Sequence, residues 1–467
     1  MMLLILKKQK FNLFKKTIIL KSLVAIFATG LFAVDSNSKF LSSDKDSSLL
    51  LKPFPSLNDE QYDEFILGRS FFVIPWVVAP SVTTARDGLG PLFNANTCVS
   101  CHPANGRGTL FNENVESRSL VVRLSIDSPS LIKSDLHKSL LEKKGFIPEP
   151  NYGSQLAING IHGVDFEGKV KIDFDEVLVD FPDGEKQILL KPKYSLENLN
   201  YGALHKDANI SYRIAPTLNG IGLIDLISNE DILKNVDVDD RNADGISGKA
   251  NFVYSNITKK EELGKYTWKG SVAFLKEQVA GAASNDMGLT TTIFPDENCT
   301  KEQEACNKAD KPKDAIDLPD ERLDAITYYL KNIKTYEAKD SKEYNDGLAL
   351  FEQISCAKCH ISSFDTSKGF KISPFSDFLL HDMGEDLADG RVEFKANKNE
   401  WRTAPLWGLA LHEKINNEKP RLLHDGRART FQEAILWHGG EAQKSKENYI
   451  NLPKEQREKL IKFLEEL

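Results

Sequence analysis

Cys98-Val-Ser-Cys101-His102, in the first quarter of the chain, returns as Cys356-Ala-Lys-Cys359-His360 in the last quarter. Residues three and four apart on a helical turn share a face, so this spacing brings two thiols to the two vinyl groups of a haem while the histidine packs beneath the ring. It is the attachment pattern of a c-type haem. A disulfide or half of a zinc tetrad would use the same cysteines. The chain has six Cys, however, and no other close Cys/His group completes a tetrahedral site. Two covalently bound haems c are therefore the starting expectation, with Cys98, Cys101, Cys356 and Cys359 as anchors and His102 and His360 as proximal iron ligands.

Outward from these motifs, the 467 residues allow two to three domains. With 41% hydrophobic and 27% charged residues the chain is ordinary for a globular protein. A net charge of -8 without a basic stripe argues against nucleic acid as a partner. The N-terminus differs in kind. Lys7, Lys8, Lys10, Lys15, Lys16 and Lys21 precede an apolar run from Leu23 to Val34, the layout of a secretory signal. Leu31 fits poorly before a cut after Ala33, so residues 1–34 read as a signal peptide or an N-terminal anchor. Export agrees with haem attachment outside the cytoplasm, and the periplasm is the expected address. Cys299 and Cys306 lie in a polar, acidic segment, where an oxidising compartment favours a disulfide between them.

Residues 35–57, rich in Ser, Asp and Lys, read as a flexible lead-in. Asn58 to Gly68 has a capping residue and apolar positions at helical spacing, which predicts a helix before the first motif. From about 119 to 194 the pattern turns to strands: Leu120–Leu124 is apolar, Val170–Phe174 alternates, and Pro182-Asp183-Gly184 separates two strand-like runs. Two further echoes follow. Arg213-Ile-Ala-Pro216 is repeated as Arg402-Thr-Ala-Pro405, and the amphipathic run after Leu318-Pro319 is repeated after Leu452-Pro453, with Pro at the favoured helix start. Three elements in the same order, twice, indicate duplication. The expected architecture is mainly α: a first cytochrome c-like domain over 58–335 with a β-rich insertion, and a second over 340–467. Between the echoes, Asp240, Asn242 and Asp244 with Gly245 match the first positions of a calcium loop, although Asn251 stands where a bidentate Glu belongs; an Asp/Asn/Gly turn is the alternative.

Several stretches resemble the bacterial di-haem oxidoreductases described as peroxidases or thiol oxidoreductases. They are Asp87-Gly-Leu-Gly-Pro-Leu-Phe-Asn-Ala95 through His102, Tyr212–Leu226, Asp286-Met-Gly-Leu289, Leu380-His-Asp-Met-Gly384, Trp401–Leu411, Leu423-His-Asp-Gly-Arg-Ala428 and Ala434–Glu441. The resemblance extends from about residue 60 to the C-terminus. More distantly, the second half is similar to di-haem cytochrome c peroxidases, in which a helix after a His-x-Gly segment supplies the axial Met of one haem. Here His438 occupies the matching position, which implies a bis-His haem of lower potential, since Met raises potential. For the first haem the candidate distal ligand is Met287, after a helix over 274–283 that parallels the one bearing His438. Met383 and His381 are alternatives near the second haem.

By their chemistry His424 and Arg427 are candidates for a peroxidase pair, His moving a proton between the peroxide oxygens and Arg stabilising the departing negative oxygen. Alternatively they form a turn whose Arg, like Arg213 and Arg402, holds a haem propionate. Trp401, Trp407 and Trp437 form either an electron relay or packing. The expected function is an oxidoreductase passing electrons between two haems to a small oxidant such as hydrogen peroxide. A small redox protein or a membrane donor would supply the electrons. An electron carrier with both irons capped and an oxidase of a protein or thiol substrate are the alternatives.

Overall fold

The computed structural model describes residues 40–110, 118–127, 134–312, 315–418 and 421–467; the signal-like stretch 1–34 lies outside them. Each half is built on one crossed pair of helices. In the first, Asp59–Val73 starts at a reciprocal Asn58/Gln61 cap and crosses Asp320–Lys331, which is led by Pro319. The helices meet at Gly68, where an added Cβ would sit 1.9 Å from the Ala325 carbonyl oxygen. Phe65 and Phe72 pack on Tyr329 around that contact, with ring centroids 4.9 and 5.4 Å away. The second half repeats the device. Lys342–Gln353 crosses Lys454–Glu466, led by Pro453, and an added Cβ at Gly347 would lie 2.3 Å from Phe463 Cβ.

The expectation of a mainly α protein is wrong. Helix accounts for 30% of the chain and strand for 19%, and the described strands form seven separate two-stranded sheets. The reason is that the long connections between paired helices are closed by short strand pairs, while each Cys-x-x-Cys-His motif opens on a single 3-10 turn, Cys98–Ser100 or Cys356–Lys358. The largest sheet is one hairpin, Lys169–Asp180 against Lys186–Glu197, turning at Gly184 with φ 87°. The lead-in also differs from its composition. Leu41–Ser42 pairs in parallel with Thr335–Tyr336, and Leu49 and Leu50 are fully buried. A few apolar side chains within a polar stretch were enough to dock it.

The hairpin belongs to the first half by sequence but packs on the second. Near its turn, Asp183 and Glu185 accept from Arg457 at 2.8 and 2.6 Å, and the guanidinium lies 4.3 Å over the Phe181 ring. Phe181 also meets Tyr449 edge-on. Farther down, Ile188 O accepts from Arg429, and Tyr194 donates to Asp425. Arg457 is buried while its two acidic partners are about one-third exposed. Arg457→Ala is therefore expected to lower stability by about 2 kcal/mol, since truncation loses charge-assisted bonds and packing together. Urea unfolding would measure it; a change under about 0.5 kcal/mol, as for an ordinary surface site, would mean that the hairpin is not held there.

The repeated Pro216 and Pro405 segments meet one another. Gly220, φ +68°, lies against the indole of Trp407, and Gly408, φ +81°, lies against Asn219. A Cβ at either glycine would clash, so the two halves interlock through the same short element used twice.

Candidate haem sites

Thr97 caps the first attachment turn by accepting from Ser100 N at 3.1 Å, and His102 N donates back to Cys98 O at 3.0 Å. The next requirement of an iron ligand is a fixed ring with one free lone pair. His102 Nδ1 donates to Pro216 O at 2.9 Å, which places the proton on Nδ1 and leaves Nε2 as the unprotonated nitrogen. The second turn copies this with a different carbonyl: His360 Nδ1 donates to Phe375 O, also at 2.9 Å. Burial pushes both imidazoles down to about 4, so both are neutral at pH 7. Cys98, Cys101, Cys356 and Cys359 are free thiols. Four unpaired thiols on two turns, each with an adjacent neutral imidazole anchored through Nδ1, fit two thioether-linked haems.

His438 ends the helix Phe431–Trp437. Its Nδ1 donates to Ala434 O at 2.7 Å, giving it the same tautomer as the proximal pair. His438 is near enough to His360 for its charge to be felt there, after burial and the bond to Phe375 O. At the first site, Met287 is the last residue of Leu275–Met287 and is buried. Its neighbour Asp286 is close enough to raise the pKa of both Cys98 and Cys101, and Asn94 and Ala95 donate to Asp286 O. The helix end therefore stands beside the first motif. His381 is placed differently from a ligand. Nε2 bonds Asp377 at 2.8 Å and Nδ1 bonds Glu441 at 2.7 Å, so both nitrogens are engaged and the ring is held as an imidazolium. Met383 is half-buried between the core of the second half and the shared core that includes Tyr212 and Trp401.

His424-Asp-Gly-Arg427 is a tight turn with Gly426 at φ +75°. Arg427 is paired to Asp425 at 2.8 Å, and burial pushes His424 down to about 4. The His424 ring stacks on Trp401 at 3.8 Å. This turn belongs to the second half but rests on the first: Leu423 O accepts from Arg107, His424 O accepts from Ile214 N, and a Cβ at Gly426 would touch Leu110. It therefore lies next to the chain that leaves the Cys98–His102 motif. Trp407 packs on Gly220, and Trp437 lies under Arg427 at 4.9 Å.

The Asp240 loop uses its oxygens internally. Asp240 accepts from Asp244 N and Gly245 N, Asn242 accepts from Asp244 N, and Asp244 accepts from Ile246 N and from Lys358 Nζ at 2.7 Å. No group of three or more His, Cys, Asp or Glu among the described residues is arranged to hold a metal ion. The turn alternative describes this loop, and calcium has no support. Cys299 and Cys306 form a disulfide, S–S 2.01 Å.

Between the two halves lies a buried charge cluster that sequence reasoning missed. Asp389 accepts from Ser211 Oγ at 2.6 Å, Arg213 at 3.0 Å and Lys269 at 2.9 Å; Glu393 pairs with Arg213 at 2.7 Å and Arg391 at 2.9 Å. Lys269 and Arg213 also lie 4.5 and 5.3 Å over Trp401. One signal was present: Asp389-Gly-Arg391 has the composition of Asp425-Gly-Arg427, and in both the Arg N donates to the Asp carboxylate.

A family model described as "Di-haem oxidoreductase, putative peroxidase" matches residues 37–467. No curated protein and no solved structure matches the chain.

Proposed function

Because the chain belongs to the di-haem oxidoreductase family, we propose that it takes electrons in at the second motif and passes them to the first, where a small oxidant, hydrogen peroxide, is reduced. Export to the periplasm and a small redox protein or membrane-bound donor complete this reading. The observation that carries it is the asymmetry of the two sites. The helix Phe431–Trp437 ends in His438, an imidazole in the same tautomer as His360, whereas the residue at the end of the corresponding helix in the first half is the thioether of Met287. The haems, when bound, supply electron storage and the chemistry at peroxide. Met287 would hold the first haem at a higher potential than His438 would hold the second, which would set the direction from second to first.

The chain's own groups complete the first site. Pro216 O holds the His102 ring through Nδ1. His424, neutral at pH 7, is able to take a proton at a ring nitrogen, and Arg427, fixed by Asp425, contributes a positive charge that does not move. Both reach the first half from the second, so the first site is completed only by the assembled pair of units.

Low-temperature EPR of the holoprotein, fully oxidised and then one-electron reduced, tests this reading. A high-spin ferric signal in at least one state is expected. Met287→Leu is expected to enlarge it and leave the other haem low-spin, and His438→Ala to convert the other haem. Low-spin signals alone in both states of the unaltered protein would sink the peroxidase reading and leave an electron carrier.

A further inference from the structure

Glu441 lies in the turn Gly440–Ala442, three residues beyond His438, and four donors converge on its carboxylate. Oε2 accepts from His381 Nδ1 at 2.7 Å and Ser247 N at 3.0 Å; Oε1 accepts from Ser247 Oγ at 2.7 Å and Asp382 N at 3.2 Å. The donors come from two distant places, the strand Leu380–Asp382 and the loop around Asp240. Each of those places is also tied to the attachment turn of the second site. From the strand, His381 Nε2 bonds Asp377 at 2.8 Å, and Asp377 N donates to Cys359 O at 2.9 Å. From the loop, Asp244 pairs with Lys358, one of the two residues between the motif cysteines, at 2.7 Å. The connections form a ring that passes from the Cys356–His360 turn through His381 to Glu441, and back through Ser247 and Asp244.

The backbone beside His438 is fitted to the same strand. A Cβ at Gly440, φ +54°, would lie 2.2 Å from Asp382 O, and one at Gly384 would lie 2.9 Å from Gly440 N. The two glycines let the chain after His438 press against 382–384 without side chains between them. The segment carrying His438 is thus held by backbone contact and by one carboxylate whose donors are otherwise tied to the Cys356–His360 turn.

We propose that Glu441 is a positioning residue for His438: with His381 and Ser247 it fixes the distance between the distal histidine and the Cys356–His360 turn. This rests on the reading of His438 as the distal ligand of the second haem. It also gives the Asp240–Gly248 loop a role, as a brace from the first half that reaches both ends of the second site. Glu441 does not touch the iron or the substrate; it acts only through the segment it holds.

The test compares the oxidised holoprotein with Glu441→Ala, Ser247→Ala and His438→Ala, by low-temperature EPR and by the rate of cyanide binding to the second ferric haem. Glu441→Ala is expected to convert part of the second haem's low-spin signal to high-spin and to speed cyanide binding about tenfold, the effect of losing one charge-assisted bond. Ser247→Ala is expected to change both in the same direction by less, and it decides the matter if Glu441→Ala does not retain haem. His438→Ala is expected to convert the second haem fully. If His438→Ala does so while Glu441→Ala and Ser247→Ala keep the unaltered spectrum and rate, the positioning role is overturned and the ligand reading stands. If His438→Ala itself leaves the second haem low-spin, the ligand reading fails and the positioning role fails with it.

Discussion

Asp389→Ala is expected to cost about 3–5 kcal/mol of folding stability, because it removes the shared partner of two buried cations. Asp389 is 3% exposed on its side chain, and Lys269 and Arg213 beside it are 0% and 6% exposed. With the carboxylate gone, Arg213 keeps Glu393, but Lys269 retains only carbonyl acceptors, Arg391 O at 2.9 Å and Asn397 O at 2.8 Å. Carbonyls orient an ammonium group without neutralising it, and burial already lowers the pKa of Lys269. The cluster joins Arg213 and Lys269 of the first half to Asp389 and Glu393 of the second. The unfolding of the two halves should therefore separate as well as weaken, giving two transitions by far-UV circular dichroism in urea. A single transition displaced by less than about 1 kcal/mol would mean that water already screens these charges.

Gly68→Ala tests the helix crossing, and two effects oppose each other there. Alanine is favoured over glycine inside a helix by about 1 kcal/mol. Against that, the new Cβ would stand 1.9 Å from Ala325 O and 2.9 Å from Tyr329 Cβ, neither of which can swing aside. Overpacking of this kind costs about 1–3 kcal/mol or more. We expect the clash to win, with a net loss of about 2 kcal/mol and a lower Tm. Gly281 is the control: it is also helical, but its added Cβ would meet only Phe294 at 3.7 Å. Gly281→Ala should be neutral or stabilising. If Gly68→Ala behaved like Gly281→Ala, the two helices would not be in contact where Gly68 places them.

The parts of the fold that were legible are those determined by near neighbours. The turns at Cys98 and Cys356, the Asn58 cap and the helices led by Pro319 and Pro453 each depend on side chains within a turn or two, and all appear where the residues indicated. The strand-like runs on either side of Pro182-Asp183-Gly184 are indeed one hairpin. What could not be read is the partner of each element. Nothing local to Asp183 indicates Arg457, and nothing local to His381 indicates Glu441. His381 shows the difficulty well: as a lone histidine near a motif it qualified as a ligand, and only its two carboxylate partners remove it. Strand content was underestimated for the same reason, because pairs such as Leu41–Ser42 with Thr335–Tyr336 carry no pattern of their own. The Asp240 loop satisfied a spacing rule while its oxygens served the backbone.

The pairing of Leu41–Ser42 with Thr335–Tyr336 also bears on how the protein is made. A chain synthesised from its N-terminus presents Cys98–His102 long before the helix Asp320–Lys331 and the strand at Thr335 exist to enclose that turn. Contacts between such distant segments form slowly, since a large loop must close before any of them is made. The first Cys-x-x-Cys-His turn consequently has a long interval in which it is not yet enclosed. Helix Lys342–Gln353 finds its partner Lys454–Glu466 over a shorter span, and the hairpin can seat on Arg457 only after that helix has appeared. Helix Lys454–Glu466 is thus the element on which the hairpin and the second half close, so the order in which the two turns are enclosed is set by chain topology.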